Sequence, residues 1–96
     1  MIDYSKLKGH ELKMLTNQEG YIKFAKVFFD SQLGLRNSFT EEEFHQAIEY
    51  LKELVKRNIE ESCFSDEEKE QKKRNVDTSF SFIEECLKKY YFVRIQ

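Results

Sequence analysis

Between Thr40 and Ile59 the chain carries a pattern that suits an α-helix and no strand. Phe44, Ala47, Ile48, Leu51, Leu54, Val55 and Ile59 recur three and four residues apart. At 3.6 residues per turn these positions share one face, whereas a strand would scatter them over both of its faces. The start is as well marked as the stripe. Thr40-Glu41-Glu42-Glu43 reads as a capping box, with Phe39 and Phe44 placed to form a hydrophobic staple across it. The three glutamates also lie where the helix dipole favours negative charge. The spacing predicts an amphipathic helix running to about Cys63.

Two more capping boxes divide the rest of the chain. Thr16-Asn17-Gln18-Glu19 opens a segment holding Tyr21, Ile22, Phe24, Ala25, Val27, Phe28, Phe29 and Leu33. Its polar side, chiefly Lys23, Lys26 and Asp30, is narrow, which predicts a central helix with contacts on more than one side. Gly34 follows at the natural C′ position, with Leu35 expected to fold back on Phe29. Ser65-Asp66-Glu67-Glu68 is the third box. From Asp66 to Asn75 no residue is apolar, so the segment is either a solvated helical turn or a mobile connector. Helical spacing resumes at Val76, Phe80, Ile83, Cys86, Leu87, Tyr90 and Tyr91. A continuous helix and a break near residues 75–79 are both compatible with this pattern, because Asn, Asp, Thr and Ser favour caps and turns. The last residues, Tyr90 to Ile95, are rich in strand formers and read as a helix end running into an extended tail. Before Thr16, the spacing of Tyr4, Leu7, Leu12 and Leu15 predicts a short helix broken around Gly9.

Composition agrees with helices. Proline is absent and glycine occurs three times, too few punctuators for a strand-and-turn fold. The expected architecture is all-α: one domain over residues 1–96, a compact bundle of three to four helices with an extended C-terminal tail.

Several functional classes lose support at this level. The net charge is −2 with both signs interspersed, which lacks the basic excess of a phosphate-binding protein. The longest mostly apolar stretch, Tyr21 to Phe29, is interrupted by Lys23 and Lys26, so no membrane span is expected. The first residues lack the apolar run of a secretion signal, and two cysteines make no disulfide framework; a cytoplasmic location is the expectation. Cys63 and Cys86 read as small buried hydrophobes, inert where they lie on apolar helical faces. His10 and His45 share no zinc-ligand spacing with them or with each other. Glu42 and His45 form a single E-x-x-H pair, where di-iron bundles need two. Gly9, Gly20 and Gly34 are too scattered for a phosphate loop. The expectation is therefore no enzyme, no metal and no cofactor.

What remains is association. Nine phenylalanines and five tyrosines exceed what one core stripe per helix needs. Phe82, Tyr91 and Phe92 fall off the stripe of Ile83, Leu87 and Tyr90, so these three are the candidate partner interface. The reading is a non-enzymatic protein-interaction module, in the form of a small inhibitor, immunity or regulatory protein, whose partner is another protein or a second copy of itself. The alternative is a helical nucleic-acid-associated regulator using Lys69, Lys72, Lys73 and Arg74, which would have to converge with Lys88 and Lys89.

Overall fold

The computed structural model describes residues 2–4 and 18–92. Among the described residues there are three helices and no strand: α1 (Gln18–Gly34), α2 (Glu41–Glu60) and α3 (Asp66–Phe92). The chain is all-α, and the helices pack together around one aromatic-rich core. The predicted N-terminal helix, the Thr16 cap, His10 and the extended tail beyond Phe92 lie outside the described residues.

The α2 start forms as its residues dictate. The Glu43 N–H donates to the Thr40 hydroxyl at 3.1 Å, and the Thr40 N–H donates to a Glu43 carboxylate oxygen at 3.2 Å. Phe39 stacks near Phe44, with ring centroids 6.3 Å apart, completing the staple. Along α2, Phe44, Ala47, Ile48, Leu51, Val55 and Ile59 are buried, and Leu54 packs at the edge of the core.

The end of α1 departs from expectation. The residue with a left-handed backbone is Arg36 (φ 63°), not Gly34. The Asn37 N–H reaches the Gln32 carbonyl at 2.8 Å and the Arg36 N–H reaches that of Leu33 at 3.0 Å. This is a Schellman motif closed two residues late, with Gly34 still inside the last turn. Leu35 is exposed and does not fold back on Phe29.

The late closure follows from Gln32, which is fully buried. Its side-chain carbonyl accepts from the Asp3 N–H at 2.7 Å, and its amide donates to the Asp3 carbonyl at 2.8 Å. A glutamine thus imitates one rung of a β-ladder and ties residues 2–4 to the bundle, with Ile2 buried beside it. Both polar groups of a buried side chain must be satisfied for such a placement to be tolerated.

Helix α3 is continuous through the two regions left open by the sequence. At residues 75–79 the Thr78 hydroxyl donates to the Arg74 carbonyl at 3.3 Å, an i−4 bond compatible with a helix interior. Val76 and Phe80 flank it in the core. The apolar-free first turns are held by long side chains: Lys73 pairs with Glu60 of α2, and Lys72 lies 4.4 Å from the centroid of the Phe64 ring.

Ion pairs record how α2 and α3 align. Glu60–Lys73, Lys56–Asp77 at 2.7 Å, His45–Glu84 at 2.7 Å and Glu41–Lys88 at 3.8 Å connect residues whose numbers rise on one helix as they fall on the other. The two helices are antiparallel. Exposed pairs of this kind contribute at most about 1 kcal/mol each, so they mark the register more than they hold the fold. Helices α1 and α3 run in the same direction, as the Tyr21–Phe80 and Asp30–Tyr91 contacts show. The extensive packing on both neighbours belongs to α3 rather than to α1. Helix α1 is not surrounded: Val27, expected on its apolar side, is 68% exposed, and Leu33 is exposed too.

Candidate interaction surface

The three residues singled out by sequence do not form one patch. Tyr91 and Phe92 are brought together at the C-terminal end of α3, half-buried against the core. Phe29, Phe39, Phe44, Tyr91 and Phe92 make a connected cluster, in which Phe92 meets Phe44 edge-on at 5.4 Å and Tyr91 meets Phe29 edge-on at 5.8 Å. Such edge-to-face pairs contribute about 0.5–1.5 kcal/mol beyond the area they bury. Phe82 lies ten residues earlier on α3, about 15 Å along the helix axis at 1.5 Å per residue. It is 53% exposed.

Tyr91 is fixed by polar contacts as well. Its hydroxyl donates to Asp30 Oδ1 at 2.7 Å and lies 3.3 Å from the Lys26 carbonyl. Burial first, and the Asp30 carboxylate second, push the Tyr91 phenol far above its ordinary range. Asp30 is held below the usual carboxylate range, chiefly by the hydrogen bond from Lys26 and further by the one from Tyr91. Because the folded-state value is depressed, the stabilisation is complete at neutral pH and is lost as the pH falls through that depressed value. Tyr91→Phe should therefore cost about 1 kcal/mol at pH 7. In urea denaturation the gap between the variant and the parent should close in acid, once Asp30 is protonated. A gap that is the same at both pH values would place the effect in packing instead.

Tyr90 was expected on the inner face with Ile83 and Leu87, yet it is 62% exposed. Tyr91, at i+4 from Leu87 and bonded to Asp30, takes the place against α1, and Tyr90 turns outward, its ring edge-on to Tyr91 at 4.9 Å and 5.0 Å from Lys26 Nζ. Phe82, Cys86 and Tyr90 thus stand at i, i+4 and i+8 along one flank of α3. That spacing produces a continuous stripe two turns long. Cys86 is half-buried within it, and Cys63 is exposed in the connection after α2, so neither is the fully buried thiol expected. Both thiols are free. The i, i+4, i+8 spacing carries the signal for this stripe once Tyr91, and not Tyr90, is placed on the buried face.

The basic residues of α3 do not converge. Lys69 to Arg74 lie at one end of the helix and Lys88 and Lys89 at the other, more than about 20 Å apart at 1.5 Å per residue. Lys73 is engaged by Glu60 and Glu70, Lys72 by the Phe64 ring, and Lys88 faces Glu41. No helix among the described residues is long and apolar enough to cross a membrane. The chain matches no family model, no curated protein and no solved structure.

Proposed function

We infer that this chain is a non-enzymatic protein-interaction module and that another protein docks along the Phe82–Cys86–Tyr90 stripe of α3. One observation carries the reading: two aromatic rings, each more than half exposed, share one flank of a helix whose opposite flank is anchored in the core. Aromatic side chains bury a large area for little loss of rotamer freedom, which is why they anchor interfaces. The exposed edges of Tyr91 and Phe92 extend the surface around the end of α3. A small inhibitor, immunity or regulatory protein that covers part of its partner is the form this takes, in keeping with a short chain of near-neutral charge.

Phe82→Ala combined with Tyr90→Ala tests it. Both rings are exposed, so the double variant should lose about 1 kcal/mol of stability or less, most of it from the Lys26–Tyr90 contact. Binding to the partner captured by the parent protein should be lost. A double variant that keeps both its melting temperature and its partner rules this surface out. One that loses its sedimentation as a dimer, with no other protein involved, assigns the stripe to a second copy of the chain.

A further inference from the structure

Spacing along the chain shows no metal-ligand motif, but pairing of the helices brings together donors that the linear order keeps apart. His45 and Glu49 stand one turn apart on α2, and Glu84 faces them from α3. One donor atom from each lies within 4.8 Å of the other two, and His45 Nδ1 is 2.7 Å from Glu84 Oε1. We propose that His45, Glu49 and Glu84 form a binding site for a divalent transition-metal ion, zinc being the best match, that links α2 to α3.

The chemistry of the donor set supports a transition metal. Two carboxylates and a neutral imidazole supply two negative charges to a dication. The nitrogen donor favours zinc over magnesium or calcium, which select all-oxygen shells. With bonds of about 2.0 Å, donors in a tetrahedral zinc shell are roughly 3.3 Å apart, so small side-chain rotations suffice to close this triangle. Three protein ligands leave a fourth position for water, and the site opens to solvent, which gives the ion a route in.

The backbone beneath the site is anchored in the core. Ile48 on α2 and Ile83 on α3, next to the ligating residues, are buried in the core. Ion pairs lie on both sides along the seam, Glu41–Lys88 beyond His45 and Lys56–Asp77 beyond Glu49. One cation competes. Lys52 Nζ lies 3.0 Å from Glu49 Oε2 and 3.1 Å from Oε1. It also lies 3.9 Å from Asp77, which can retain it when a Glu49 oxygen turns to the metal. The His45–Glu84 contact is then the ion-free form of the site, in which imidazole and carboxylate pair with each other.

Calorimetric titration of the full chain with zinc chloride, with the thiols kept reduced, tests the proposal. The expected result is one zinc per chain and a raised melting temperature, because the ion binds the folded state and not the unfolded one. His45→Ala and Glu84→Gln should each weaken binding by roughly tenfold or more, the least that losing even a supporting group costs a metal site. His45 is exposed and Glu84 is half-buried, and an unchanged circular dichroism spectrum shows that the variants remain folded. A Cys63→Ser/Cys86→Ser variant should bind zinc like the parent. Zinc binding that is absent in the parent, unchanged in His45→Ala and Glu84→Gln, or abolished by the cysteine substitutions would overturn the proposal.

Discussion

Phe29→Ala should lower the free energy of unfolding by about 3–5 kcal/mol, the largest loss expected from any single truncation in this chain. The Phe29 ring is fully buried and touches four others: Phe28 at 5.4 Å, Phe39 at 5.2 Å, Phe44 at 4.8 Å and Tyr91 at 5.8 Å between centroids. These come from α1, from the connection before α2, from α2 and from α3. One ring therefore joins every described helix, and its removal leaves a cavity that no single helix can shift to fill. Small domains are stable by about 5–15 kcal/mol, so the variant should be marginal or partly unfolded at room temperature. Urea denaturation at neutral pH measures the loss. A change below about 1 kcal/mol would mean that the helices can repack around the gap, against the tight packing of protein interiors.

Leu51→Ala should cost about 2–5 kcal/mol by the same measurement. Leu51 lies midway along α2 and is fully buried. It is aliphatic and lies a full two turns from Phe44, outside the aromatic cluster, so the two truncations probe separate parts of the core. Sites this independent should give nearly additive losses when combined, although the double variant is expected to be too unstable to measure without a stabilising co-solvent. A small loss at Leu51 would mean that the Phe44–Ile59 stripe faces solvent.

The bundle was legible in the sequence where the signals are local. Thr40 and Glu43 lie three residues apart and form their reciprocal bonds regardless of what packs nearby. The same holds for the Ser65 hydroxyl, which accepts from the Glu68 N–H at 3.3 Å. The stripe of α2 needed only its own period. Where tertiary contacts decide, local signals ran out. Gly34 looks like a helix terminator, but Gln32, held by Asp3 twenty-nine residues away, and Asn37 determine where α1 closes. Tyr90 and Tyr91 are adjacent tyrosines, and the choice of which one turns inward depends on Asp30 of another helix. The apolar-free start of α3 has a cap at Ser65 but no face to bury, and so no packing reason to prefer helix over connector. Glu60 at the end of α2 supplies that reason through Lys73.

The candidate site shows the same division. Excess aromatic residues pointed to the end of α3, but which of them face outward depends on how α3 sits between α1 and α2. Tyr91 and Phe92 are drawn into the Phe29–Phe44 cluster, and Phe82 and Tyr90 are left outside. His45 and Glu84 are thirty-nine residues apart, so no spacing rule could have joined them.

The docking of another protein on one flank of α3, as proposed above, can be observed in place. Replacing Phe82 with a photo-crosslinking phenylalanine analogue, in the cells that make the protein, is the direct test, with the same analogue at exposed Glu53 on α2 as the control. A discrete adduct with another protein is expected from position 82 and none from position 53. Irradiation that yields no adduct from position 82, or the same adducts from both positions, would contradict the proposed docking.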